Sequence, residues 1–214
     1  MKAPHSAASV MAIGPVIAVL TLERAADAVP LAAALIAGGV RVLEVTLRTA
    51  AALPAIEAIA AEIPDAVVGA GTALNAHDID RAARVGARFI VSPGLTERML
   101  EAAANCRLPF LPGVATASEL MRGLEAGIDH FKFFPAEAAG GPAMLRALHG
   151  PFADARFCPT GGITAANAKA YLDLPNVACV GGGWLAPPKL IAAGDWDRIS
   201  ELARHASGLG QPTR

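Results

Sequence analysis

Lys132 stands inside the run HFKFFPAE, His130 to Glu137, where a primary amine is flanked by aromatic residues in what reads as a buried strand. The chain has four lysines against fourteen arginines. The other three lie at Lys2 near the N-terminus, at Lys169 in a helical pattern and at Lys189 behind two prolines, so Lys132 alone is surrounded by apolar residues. Desolvation disfavours the ammonium form and leaves a nucleophilic amine, the species that attacks a ketone to form an imine. The competing reading is an edge strand whose lysine head turns to solvent.

A carboxylate offers the second working part. Along VLEVTLR, period-two alternation puts Val42, Glu44, Thr46 and Arg48 on one face of a strand and Leu43, Val45 and Leu47 on the other. The apolar face belongs under helices, so Glu44 and Arg48 face the opposite way. An inward carboxylate is costly unless it is paired or functional, and a structural Glu44–Arg48 ion pair is the bland alternative. The same parity in HFKFF sets Lys132 and Phe134 on one face and Phe131 and Phe133 on the other. An imine-forming amine opposite a proton-shuttling carboxylate is the pairing that a class I aldol cleavage needs. Arg48, with a fork that grips a carboxylate in two places, then points to a 2-oxo acid substrate.

Glycine clusters add an anion end. Thr160, Gly161 and Gly162 close the run FCPTGGI, and Gly181, Gly182 and Gly183 close CVGGGWL. Glycine allows close backbone approach, and backbone amides together with a helix N-terminus hold a phosphate without a lysine. Tight turns are the plainer explanation for either cluster alone.

The elements that must position these groups form one repeated unit. Short β-rich runs begin near Val16, Arg41, Ala66, Arg88, Leu108, His130, Ala155 and Val177, each followed by a helical pattern. Their spacing of roughly 20 to 26 residues suits a minimal βα unit. Eight units predict an α/β fold of the (β/α)8 TIM-barrel type, one domain over residues 1–214, with a short N-terminal helix. A doubly wound open sheet is the alternative. Gly38, Gly39, Gly86 and Gly127 read as helix stops, and Thr116 with Glu119 as a capping box opening SELMRGLEAG. In a barrel, chemistry gathers at strand C-termini, and the loops after the seventh and eighth strands are the recurrent phosphate site.

Composition narrows the partners. Hydrophobic residues make up 54% of the 214 and aromatics 5%, so the alanine-rich helices should pack closely. A net charge of −1 with mixed signs gives no footprint for nucleic acid or an anionic membrane. Cys106, Cys158 and Cys179 are isolated and read as small buried hydrophobes in a reducing compartment, and the five histidines include no closely spaced pair, so no metal is expected. Lys2 before an alanine-rich stretch has a faint look of a signal peptide, but Val16 to Leu22 is needed as the first strand.

Six runs in order, VLEVTLR, VGAGT, SPGLTE, FKFFPAE, RFCPTGGI and GGGWL, make the chain closely similar to the 2-keto-3-deoxy-6-phosphogluconate (KDPG/KHG) aldolases over nearly its whole length. The resemblance implies a class I lyase that splits the phosphorylated sugar acid into pyruvate and glyceraldehyde 3-phosphate in Entner–Doudoroff-type catabolism, and that also acts on 4-hydroxy-2-oxoglutarate. It implies Lys132 as the Schiff-base lysine and Glu44 as the proton-transferring carboxylate. Arg48 and Thr72 would bind the pyruvyl carboxylate, Pro93 and Phe134 line the site, and Thr160 lie near the hydroxylated chain. Gly161, Gly162 and Gly182 would form the phosphate loop. A cytoplasmic homotrimer without metal or cofactor is implied as well.

One departure stands out. Many relatives read GGSWL, and this chain has Gly183 in place of the serine. The backbone amide remains, while loss of a hydroxyl donor to phosphate costs about 1.5 to 3 kcal/mol where water does not replace it. Weaker phosphate discrimination is therefore expected. A phosphosugar isomerase or epimerase on the same barrel would explain the glycines and Glu44 but leave Lys132 without a role. A non-catalytic phosphosugar-binding protein would explain the glycines alone.

Overall fold

The last strand of the chain, Val180–Gly182, pairs in parallel with the strand Val16–Leu20 near its beginning. The computed structural model describes residues 3–210; Lys2, which bore on the signal-peptide reading, lies outside them. Ten strands follow in order: β1 (His5–Ser6), β2 (Val16–Leu20), β3 (Val42–Thr46), β4 (Val67–Gly71), β5 (Ile90–Val91), β6 (Pro109–Leu111), β7 (Gly113–Val114), β8 (His130–Phe133), β9 (Arg156–Pro159) and β10 (Val180–Gly182). Between and after them run α1 (Ala8–Met11), α2 (Ala28–Ala37), α3 (Ala52–Glu62), α4 (Ala76–Arg84), α5 (Glu97–Asn105), α6 (Ala117–Glu125), α7 (Gly141–His149), α8 (Ala168–Leu172), α9 (Pro188–Ala193) and α10 (Trp196–Ser207). The short helix expected near the N-terminus is α1.

All strand pairs are parallel, as βα repeats require. They form a seven-stranded sheet, β1-β6-β5-β4-β3-β2-β10, and a three-stranded sheet, β7-β8-β9. Two local causes divide what the repeat predicts as eight even ladders. Pro112 separates β6 from β7 because it has no amide hydrogen to donate, although its carbonyl accepts from Lys132 N at 2.8 Å. Below Pro112, β1 occupies the flank of β6, pairing His5 with Pro109 and Ser6 with Phe110. Above it, β7 pairs with β8, Gly113 beside Lys132. On the other side, β9 meets the β10 segment through isolated bridges, Phe157 with Val177 and Thr160 with Gly181, between which the register slips by one residue.

The apolar core has two layers, as strand parity requires. Leu43, Val45, Val68, Ala70, Phe131, Phe133 and Phe157 pack outward beneath the helices, and the close helix packing expected from alanine is seen where a Cβ on Gly38 would lie 2.4 Å from Ala203 Cβ of α10. The second layer fills the lower interior: Ala7, Val10 and Met11, from α1 and just before it, pack with Ile17, Val42, Phe89, Val91, Leu111, Cys158 and Cys179. Cys158 and Cys179 are buried as read, whereas Cys106, at the end of α5, is only half-buried. Gly39, Gly86 and Gly127 take left-handed backbone after α2, α4 and α6. Thr116 and Glu119 form the expected capping box, with Thr116 Oγ1 accepting from Glu119 N at 3.3 Å and Glu119 Oε2 from Thr116 N at 2.9 Å.

Candidate active site

Among the described residues seven polar or charged side chains are buried, and five of them, Glu44, Thr46, Ser92, Lys132 and Thr160, sit at or near the C-terminal ends of strands. Lys132 of β8 and Glu44 of β3 meet there. Lys132 Nζ donates to Glu44 Oε1 at 3.1 Å, with the two side chains 6% and 3% exposed. Solvent does not screen an ion pair so enclosed, and breaking it from either side would strand a charge. The solvent-facing lysine and the Glu44–Arg48 ion pair are both set aside by this contact. Phe134 stands over the amine, its ring centroid 5.2 Å from Nζ.

Glycines allow the close approaches around the pair. A Cβ on Gly71 of β4 would fall 2.2 Å from Glu44 Oε1. A Cβ on Gly113, the register partner of Lys132, would fall 2.2 Å from Pro93 O. The last glycine of VGAGT thus has a steric task, for which parity along β3 is the sequence signal, because Glu44 and Gly71 lie on neighbouring strands.

Arg48 lies just beyond β3 and is exposed, with Nε donating to Thr72 Oγ1 at 3.3 Å. Thr72 holds φ at 59°, the one positive value for a non-glycine among the described residues. A β-branched residue in this region costs of order 1–3 kcal/mol, a strain that recurs at functional sites. Pro93 and Phe134 are half-buried near Gly113 and Lys132. Thr160 is buried at the end of β9, its hydroxyl bonded to Cys158 O at 3.4 Å. A Cβ on Gly181 would lie 2.2 Å from Thr160 Oγ1.

The turn after β9 is more specific than its glycines suggested. Gly161 and Gly162 have φ of 99° and 79°. Three successive carbonyls are tied to one side: Thr160 O accepts from Ala136 N at 2.8 Å, Gly161 O from Glu137 N at 3.1 Å, and Gly162 O from Asn167 Nδ2 at 3.0 Å. In a trans peptide the amide hydrogen points opposite its carbonyl, so the N–H groups of Gly161, Gly162 and Ile163 are turned to the other side. None of the three donates to a described group. Successive free amides of this kind form an anion-binding concavity.

The second glycine cluster divides. A Cβ on Gly182 would overlap the Trp184 ring, so packing accounts for that glycine. Gly183 is exposed, and a Cβ there meets only Val19 O, at 3.4 Å. The expected helix N-terminus is not part of either turn. The next helices, α8 and α9, begin only at Ala168 and Pro188 and are a turn or two long. Among the described residues no group of three or more His, Cys, Asp or Glu side chains has metal-binding geometry, and no helix is long and apolar enough to cross a membrane.

A family model described as KDPG and KHG aldolase matches residues 7–202. The chain is 55% identical to a 2-dehydro-3-deoxy-phosphogluconate aldolase of Pseudoalteromonas atlantica, and 54% identical to a KHG/KDPG aldolase of Escherichia coli K12, each over 94% of both chains. Among solved structures it is similar to a KDPG aldolase from Legionella pneumophila captured with pyruvate as a covalent carbinolamine intermediate, with a TM-score of 0.91 and 49% identity, covering 93% of this chain and 97% of that one.

Proposed function

The chain belongs to the KDPG and KHG aldolase family, and from that premise we propose that it cleaves 2-keto-3-deoxy-6-phosphogluconate to pyruvate and glyceraldehyde 3-phosphate through an imine on Lys132. The observation that carries this reading is the buried Lys132–Glu44 contact at 3.1 Å. Transfer of the ammonium proton to Glu44 along that contact leaves a neutral amine, which adds to the C2 ketone of the substrate. Glu44 returns that proton to the C2 hydroxyl of the carbinolamine, and loss of water gives the protonated imine with Glu44 again a carboxylate. Glu44 then takes the proton of the C4 hydroxyl, the C3–C4 bond breaks, and its electron pair flows into the imine to leave an enamine. The aldehyde departs, Glu44 returns the proton to C3, and hydrolysis frees pyruvate and the amine.

Arg48 and Thr72 hold the C1 carboxylate in this reading. Their mutual contact at 3.3 Å leaves guanidinium donors for a charge-assisted grip. Pro93 and Phe134 wall the imine, and Thr160 faces the hydroxylated chain. The phosphate rests on the amides of Gly161, Gly162 and the Gly182–Gly183 segment. The enzyme also accepts 4-hydroxy-2-oxoglutarate, which shares the 2-oxo acid and the C4 hydroxyl and yields glyoxylate with pyruvate.

We further read the two sheets as one closed (β/α)8 barrel in a single domain. Support comes from β10 pairing with β2 and from the Phe157–Val177 and Thr160–Gly181 bridges, because a doubly wound sheet would leave the first and last strands apart. A cytoplasmic homotrimer is proposed from the family resemblance, with the free thiols of Cys158 and Cys179 in keeping with a reducing compartment; light scattering that reads other than three copies would overturn the trimer. For the chemistry, incubation with pyruvate and borohydride followed by peptide mapping should place a reduced adduct on Lys132. An isomerase, an epimerase or a binding protein would leave that peptide unmodified.

A further inference from the structure

The proposed function leaves one hydrogen-bonded cluster unused, on the far side of the β9 turn. Glu137 Oε1 accepts from the hydroxyl of Tyr171, the shortest contact of the cluster, and from Asn167 Nδ2 at 3.3 Å. The same Asn167 amide nitrogen donates to Gly162 O at 3.0 Å, while Asn167 Oδ1 accepts from Thr164 N at 2.7 Å. Tyr171 is buried, and the Glu137 side chain lies so close to the turn that a Cβ on Gly162 would be 2.5 Å from Glu137 Cγ. One asparagine thus spans the turn from Gly162 to Thr164, and its orientation is set by a carboxylate that a buried tyrosine holds in place.

We infer that Asn167, with Glu137 and Tyr171 behind it, is a positioning device for the anion end of the site, and that it adds the Ile163 amide to the phosphate-binding group. The argument follows from the peptide plane. Thr160 O and Gly161 O are fixed by backbone donors of the segment after β8, and those contacts would survive loss of any side chain. Gly162 O is held by Asn167 alone. Because the Ile163 N–H opposes that carbonyl, Asn167 determines whether two or three amides converge on one anion. Burial and the Glu137 carboxylate both push the Tyr171 hydroxyl's pKa upward, in that order, so the tyrosine remains a donor throughout the working range.

This inference rests on the aldolase reading, and the test separates the two. Asn167→Ala, Tyr171→Phe, Glu137→Ala and Glu137→Gln are compared with the unmodified enzyme in three measurements: borohydride trapping of pyruvate, turnover of 2-keto-3-deoxy-6-phosphogluconate, and turnover of 4-hydroxy-2-oxoglutarate, whose chain ends before the phosphate. Loss of one aligned amide should raise KM for the phosphorylated substrate about three- to tenfold in Asn167→Ala. The kcat, pyruvate trapping and KM for the unphosphorylated acid should stay near their starting values. Glu137→Gln keeps an oxygen acceptor and should recover most of what Glu137→Ala loses. An unchanged KM for the phosphorylated substrate in Asn167→Ala overturns the inference, and so does an equal rise for both substrates. If the unmodified enzyme fails to trap pyruvate on Lys132, the imine reading falls and this inference with it.

Discussion

The two ends of the site are built from different materials. At the proposed imine end, charged side chains from strands far apart in sequence are enclosed and locked together, Lys132 on β8 against Glu44 on β3, with Gly71 clearing space beside the carboxylate. At the proposed anion end the groups on offer are backbone amides, and the side chains that touch the turn, Asn167 and Glu137, hold it from behind. The division follows the chemistry. Where electrons and protons move, a group has to change its bonding or charge, which a side chain does and a peptide does not. Where a dianion is only to be held, fixed amide dipoles suffice and add no titrating charge of their own.

If that contrast is right, damage at the imine end should abolish chemistry and damage at the anion end should tax affinity. Lys132→Met is the most severe case: no borohydride adduct should form and turnover should fall to background. It also leaves Glu44 buried without a partner, which costs roughly 3–5 kcal/mol of stability. Pairing it with Glu44→Gln should restore part of the lost Tm and none of the activity, as thermal unfolding alongside turnover would reveal. Appreciable cleavage by either variant would show that the amine is not the nucleophile.

Glu44→Gln alone comes next. The amide cannot take the C4 hydroxyl proton, so kcat should drop by about 10²–10⁴-fold while the phosphorylated substrate still binds. Gly71→Ala should be milder. The added methyl would fall 2.2 Å from Glu44 Oε1, so the carboxylate must shift. A displacement of about 1 Å at a reacting group can cost up to about 10²-fold in rate. A Gly71→Ala enzyme with full kcat would mean that the position of Glu44 is not critical, and the contrast between a rigid imine end and a held anion end would lose its first half.

The imine end was legible in the sequence because its signals are local to single strands. Alternation along VLEVT and HFKFF puts Glu44 and Lys132 on the faces away from the helices, and a curled parallel sheet turns such residues of different strands toward one another. What alternation did not give was the choice of partner. Arg48 shares a face with Glu44 yet lies beyond the strand end, where it meets Thr72 and solvent, and the lysine on the opposite strand takes the carboxylate instead. The split at Pro112 was also hidden, since it depends on β1 docking against β6, and a two-residue strand carries no periodic signal.

The anion end was legible as composition only. Two glycine clusters mark its place, but composition does not give the reason for the glycines: Gly181 yields to Thr160 and Gly162 to Glu137, both distant in sequence, and Gly182 to Trp184, two residues on. The amide concavity is made by carbonyl partners at Ala136, Glu137 and Asn167, and no motif of the glycine run announces them. Glu137 ends the run FKFFPAE, and nothing local to that run marks its contacts with Asn167 and Tyr171.

Gly183 supplies the smallest test and the one most particular to this chain. Unlike the neighbouring glycines it is not required by packing: its backbone has no left-handed φ, and an added Cβ meets nothing closer than Val19 O at 3.4 Å. Gly183→Ser is therefore free to fold without strain and to offer a hydroxyl to the phosphate. A charge-assisted hydrogen bond is worth at most about 1.5–3 kcal/mol, and water already occupying that position would reduce the gain to a several-fold fall in KM for the phosphorylated substrate. The KM for 4-hydroxy-2-oxoglutarate and the rate of pyruvate trapping should not move, because the change is confined to the end where binding is done by the backbone. Equal KM values for the phosphorylated substrate in the serine variant and the unmodified enzyme would mean that the amides alone saturate the anion, and that this chain gives up nothing by carrying glycine there.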